Sequence, residues 1–203
     1  MKKCATDLRL LLGLLIAHLL ILLTFHTTVV FWYIFTASML FLISYSTFRD
    51  EIDKKAPMYQ VIIIGGLSGI ILFFVFWLGN TLIHAMDIPL QSQIKSLYHH
   101  FSPTMAWHYI VLILVIIPGE EIFWRGFVQK RLSKYFHDWT AIILSTLLYT
   151  SVQFYSGSII LPLAALISGF IWAILYRWKK SIPLVIVSHL VFDLFLFVIF
   201  PFY

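Results

Sequence analysis

The chain has 203 residues, 61% of them hydrophobic and only 11% charged, with a mean hydropathy of +0.94. These values lie far outside the range of water-soluble domains and exclude a soluble enzyme. The net charge of +5 is carried by lysines and arginines set between apolar runs, and the single cysteine, Cys4, permits no internal disulfide.

In chain order, apolar runs fall at 10–23, 29–45, 61–82, 109–129, 140–155, 159–178 and 183–200. A bilayer core needs about 20 apolar residues per crossing, and in lipid the backbone must satisfy its own hydrogen bonds, so each run is read as a helix. The expected fold is an all-α polytopic membrane bundle of about seven transmembrane helices, forming one integral membrane domain over 1–203. The first run follows Met1, Lys2 and Lys3 but lacks a clear cleavage site, which makes it an anchor rather than a signal peptide. Segment 83–108, with spaced apolar residues, is expected to lie in the interface as a short helix. Its His99, His100 and His108 match no standard zinc spacing.

Lysine and arginine placement gives the orientation. A cytoplasmic N-terminus puts Lys2, Lys3, Arg9, Arg49, Lys54, Lys55, Lys130, Arg131, Lys134, Arg177, Lys179 and Lys180 inside and only Lys95 outside. Seven crossings then leave the C-terminus outside. There are no repeats or linkers, no glycine-rich phosphate loop and no basic–aromatic surface for nucleic acid.

The informative residues are those that lipid should reject. The fourth run holds Glu120, Glu121 and Arg125, the fifth Tyr149 and Gln153, and the seventh His189 and Asp193. Glu121 and Arg125 are four apart, the spacing of an intrahelical ion pair, as are Tyr149 and Gln153, and His189 and Asp193. Glu120 is turned about 100° from Glu121 and is free to face elsewhere. The expectation is a division of labour, with Glu121–Arg125 structural and Glu120 in a polar cavity. Pro118 and Gly119 predict a helix break just before it. His18, alone on an apolar helix, reads as structural.

A carboxylate, a histidine and an amide or second acid in a shielded cavity suit the activation of water for attack on a carbonyl. No serine or cysteine is obviously paired with a base, and there is no HExxH motif, so no cofactor is expected. Assembly of Glu120, His189 and Asp193 as metal ligands stays open as an alternative.

Glu120-Glu121-x-x-x-Arg125 followed by Gly126-Phe127, then a second polar helix, then His189-x-x-x-Asp193, resembles the CPBP family. This is the CAAX-protease and bacteriocin-processing group, also called Abi. The likeness covers about 109–200. It implies a helical membrane bundle and glutamate-dependent, metal-independent intramembrane proteolysis without a covalent intermediate. By resemblance Glu120 is the water-activating base, Glu121 and Arg125 support it, and His189 and Asp193 stabilise the oxyanion. The same resemblance, with the small size, implies a bacterial cytoplasmic membrane. Two positions depart from the family pattern. Asp193 stands where asparagine is common, and Gln153 stands where the middle motif has a histidine. Glutamine can hold a water but cannot take its proton.

Two functions follow. The first is an endopeptidase acting on a peptide or membrane-protein substrate within the lipid bilayer. The second is an impaired pseudoprotease that serves as a scaffold and binds a protein partner.

Overall fold

The structure, a computed structural model, describes Cys4, residues 7–48, residues 52 and 53, and residues 55–202. Lys2, Lys3, Arg49 and Lys54, used above for orientation, lie outside the described residues. Among the described residues there are helices and no strand. We number them α1 (Leu8–His26), α2 (Phe31–Thr47), α3 (Met58–Ala85), α4 (Gln91–Phe101), α5 (Ala106–Leu132), α6 (Asp138–Gln153), α7 (Ile160–Lys179) and α8 (Ile182–Ile199).

Local chemistry sets several of these ends. The Asp7 carboxylate caps α1, accepting from the Leu10 N–H at 3.1 Å. Proline stands just before or just inside the starts of α3 and α8, where its missing N–H costs nothing. Lys180, left-handed at φ 48°, closes α7 and reverses the chain into α8.

Five helices are long and apolar enough to cross a membrane: α1, α2 with its preceding turn, α3, α7 and α8. The pair α4 and α5, bent by 99° at the break between them, raises the number to six. The expected fifth crossing falls on α6, whose 16 residues are shorter than a full span. Segment 83–108 contains α4, as its spacing predicts. Leu11, Leu15, Leu19 and Leu22 of α1 and Ile62, Leu67, Ile71 and Leu78 of α3 are exposed, while Glu121, Arg125, Gln129 and Ser188 are buried. Apolar outside and polar inside is the pattern of a multi-pass membrane protein.

Without a hydrophobic drive between helices in lipid, close backbone approach must supply the packing. On α3, Gly65 and Gly69 meet α8. A Cβ on Gly65 would stand 2.8 Å from the Leu184 carbonyl, and one on Gly69 would overlap the Ser188 carbonyl. Ser68 between them donates to Ser188 Oγ at 2.9 Å. This small-x-x-x-small pair holds α8 and went unnoticed in the sequence.

At one end of the bundle the charges link seven helices. Arg131 of α5 meets Asp7 at 2.9 Å, and Arg9 of α1 donates to the Tyr45 carbonyl of α2. Lys179 of α7 reaches Gln60 of α3, and Arg177 pairs with Asp138 of α6. Asp53 accepts from Lys130 at 3.1 Å and from the Tyr176 hydroxyl at 2.6 Å, while its carbonyl accepts from Ile182 N at the start of α8.

The break expected at Pro118 is absent. α5 runs continuously through it, with wide π turns at Leu112–Ile116 and Ile122–Gln129 on either side. Proline in a helix clashes with the carbonyl four residues back, and the wide turn before Pro118 opens that spacing. Gly119 instead allows close packing, because a Cβ there would stand 2.9 Å from that of Met39 on α2.

Candidate active site

The acidic pair sits on the short α-helical stretch Ile117–Glu121 of α5, between its two π turns. Glu121 has no exposed surface, and its Oε1 accepts from Arg125 Nη1 at 3.1 Å and from His189 Nδ1 at 2.8 Å. It therefore bridges α5 and α8. Its second oxygen, Oε2, is buried without a hydrogen-bond partner. Arg125 also donates from Nη2 to the Gly169 carbonyl of α7 at 3.2 Å. Its guanidinium lies 4.7 Å from the Tyr149 ring centre and 5.4 Å from that of Trp172. A buried guanidinium thus has a carboxylate, a carbonyl and two aromatic faces around it, which offsets its desolvation.

Glu120 turns away from this pair, as the helical spacing predicts. Its Oε2 accepts from the Tyr149 hydroxyl at 3.3 Å and lies 3.9 Å from His189 Nε2. The same Nε2 is 3.7 Å from Asp193 Oδ2. His189 is held in orientation by Glu121 on one edge and by Trp172 stacked on its face at 3.9 Å. Trp172 in turn donates to Ser188 Oγ at 3.2 Å.

Glu120, Tyr149, Gln153, His189 and Asp193 all line one cavity of about 180 Å³, whose wall also includes the aromatic side chains of Phe31, Trp32 and Phe101. Gln153 is the final residue of α6 and, although it stands at a helix end, still reaches the chamber that Glu120 and His189 enter from the middle of their helices. Glu121 and Arg125 stand behind the wall. All seven residues singled out by sequence, Tyr149 among them, are buried and gathered together.

Sequence reasoning left out two supports, Trp172 and Gly169, and gave a third, Tyr149, no role. Tyr149, noted only as sharing a face with Gln153, touches Glu120 directly. Trp172 positions His189. Gly169 lets α7 approach, since a Cβ there would be 2.8 Å from Tyr149 Cδ1 and 3.3 Å from Arg125 Nη2. The run Ser168-Gly169-x-x-Trp172, with small residues one turn before a tryptophan, was the available signal. His18 is structural as expected, with its ring nitrogens 3.0 Å from the Tyr155 hydroxyl and 3.3 Å from Ser151 Oγ, tying α1 to α6.

The arrangement can hold a water between one free carboxylate and an imidazole, with the second carboxylate neutralised behind them. With Nδ1–H committed to Glu121, His189 donates from Nε2 only as the imidazolium, and Asp193 donates only when protonated. An asparagine at 193 would donate in either case.

Fold and site together define a polytopic helical membrane protein with a buried carboxylate–histidine centre. Residues 102–195 match the model of the type II CAAX prenyl endopeptidase Rce1-like family. The resemblance to the CAAX-protease group, drawn from Glu120, Glu121, Arg125, His189 and Asp193, is borne out over that segment. No curated protein and no solved structure gave a match.

Proposed function

We propose that the chain is a metal-independent intramembrane endopeptidase in which Glu120 takes a proton from water as that water attacks a peptide carbonyl. His189 as the imidazolium and Asp193 as the neutral acid donate to the oxyanion, and the proton held by Glu120 passes to the leaving amine. Glu121 and Arg125 are positioning residues, and Gln153 holds the water without accepting its proton. The substrate is a peptide or membrane-inserted protein, a class that includes the prenylated chains named in the family's description. One observation carries the reading: of two adjacent buried glutamates, one is fixed by Arg125 and His189, while the other opens into the cavity beside the same histidine.

The protein is further read as crossing a bacterial cytoplasmic membrane seven times, N-terminus inside and C-terminus outside. Support comes from the ion pairs that link alternate ends of α1, α2, α3, α5, α6, α7 and α8 on one side. The competing reading is a pseudoprotease scaffold, favoured by Gln153 alone.

The test compares membrane and released peptides by mass spectrometry from cells making wild type, Glu120→Ala or Gln153→His at equal levels. Peptides lost in Glu120→Ala and enriched in Gln153→His, by up to the roughly 10²-fold a missing acid–base group can cost, support the peptidase. Identical profiles in all three sink it and leave the scaffold.

A further inference from the structure

At the end of the bundle away from the ion pairs, two further cavities adjoin, and the apolar one shares Phe76, Phe101, Leu161, Ala164, Leu196 and Phe197 with the wall of the catalytic chamber. The first, about 370 Å³, is lined by Trp77, Asn80 and His84 of α3, Lys95 of α4 and the segment after α8. The second, about 300 Å³, is lined almost wholly by apolar side chains, among them Ile83, Leu97 and Ile167. Asn80 and Phe202 line both, so the polar pocket opens beside the apolar one.

We propose that this pair of cavities is a binding site for one anionic phospholipid, with its headgroup phosphate at Lys95 and His84 and an acyl chain in the apolar cavity. Three features of the side chains support that occupant. Lys95 is exposed and makes no ion pair among the described residues. The Gln91 amide lies 2.6 Å from His84 Nδ1, and when it donates there the proton of a neutral imidazole sits on Nε2 as a donor. Asn80 Oδ1 is buried without a hydrogen-bond partner, as an acceptor waiting for a headgroup hydroxyl would be. A free phosphate would leave the apolar cavity empty, and a fatty chain alone would leave these polar groups unmet. A phospholipid satisfies both halves.

Position agrees with chemistry. Lys95 is the one basic residue that the charge distribution assigns to the side opposite the cytoplasmic cluster, and it sits on α4, the short helix joined at 99° to α5. α4 also places Phe101 in the wall of the catalytic chamber, and Tyr98 of α4 donates to the Leu196 carbonyl of α8 at 2.9 Å. A lipid seated between α3, α4 and α7 therefore pins the element that roofs the chamber.

The full-length protein in detergent is titrated with dioleoyl phosphatidylglycerol, dioleoyl phosphatidylcholine or glycerol phosphate, and melting is followed. Phosphatidylglycerol should raise the melting temperature at lower concentration than phosphatidylcholine. Lys95→Gln should weaken phosphatidylglycerol roughly fivefold, the worth of one cation at a membrane surface. Ile167→Trp, which fills the apolar cavity, should weaken both lipids. Equal responses to the two lipids, or an unchanged preference in Lys95→Gln, overturn the proposal. So does glycerol phosphate alone reproducing the full shift, or a peptide with a free carboxylate displacing the lipid, which would make this a peptide site. Repeating the titration with Glu120→Ala separates the outcome from that of the peptidase reading, since lipid binding needs no turnover.

Discussion

Gly169→Ala sets two effects of one methyl group against each other. In a helix interior alanine is favoured over glycine by roughly 0.5–1 kcal/mol, so local propensity alone makes the variant more stable. Packing opposes this. The added Cβ would lie 2.8 Å from Tyr149 Cδ1 and 3.3 Å from Arg125 Nη2, both fully inside the bundle. Tyr149 must retreat by about 0.6 Å to reach an ordinary contact, and overpacking of a filled core typically costs about 1–3 kcal/mol. Over most of these ranges packing outweighs propensity, giving a net loss of about 0–2.5 kcal/mol. The retreat also lengthens the 3.3 Å bond from the Tyr149 hydroxyl to Glu120 and crowds the Arg125 donation to the Gly169 carbonyl. Misplacements of this size at a reacting centre can cost up to about 10²-fold in rate. Thermal melting in detergent and the yield of released peptides, measured side by side with Tyr149→Phe, read both effects. A variant that melts higher than wild type and cleaves normally would refute the packing argument and show that α7 shifts freely.

Arg125→Ala strands Glu121, which already has one unpartnered oxygen, and should destabilise the protein by about 3–5 kcal/mol, read as loss of a cooperative melt. Gly69→Ala drives a Cβ against the Ser188 carbonyl and should push α8 outward, lowering both melting temperature and peptide yield, whereas Gly66→Ala meets open space and should leave peptide yield unchanged and melt no lower than wild type, with only the propensity gain of alanine. For Asp53, burial pushes the carboxyl up, but the Tyr176 and Lys130 hydrogen bonds outweigh it and hold the group below its usual value. A carboxyl lowered on folding adds stability above its unfolded value, near 4, and loses it as pH falls through the lower folded value. Melting temperature should therefore drop below about pH 4, and Asp53→Asn should flatten that part of the profile. An unchanged profile would mean that Asp53 contributes nothing to holding the helix ends.

Much of the site could be read from residue types because lipid makes polarity expensive. Glu120, Glu121, Arg125, His189 and Asp193 stood out as ionisable groups in apolar runs, and the four-residue spacing sorted the two glutamates correctly. Gly169, Trp172 and Gly69 gave no such contrast, since glycine and tryptophan are ordinary in membrane helices and their role depends on which helix they meet. Pro118 misled for a related reason. The local rule for proline assumes an α-helical ladder, and the wide turn that accommodates it arises from tertiary packing. The short α6 shows the same limit, because an apolar run of 16 residues fixes a helix but not how deeply it sits.

The contact of α3 with α8 has a consequence for the order in which the protein is made. Ser68 and Ser188 touch although 120 positions separate them in the chain. During synthesis the glycine groove of α3 therefore faces lipid while four more helices emerge, and only the arrival of α8 fills it. That same arrival delivers His189 and Asp193 to Glu120. The carboxylate–histidine cluster is completed at a late step of insertion, so a partly made chain holds Glu120 and Glu121 without the His189 that bonds one and adjoins the other.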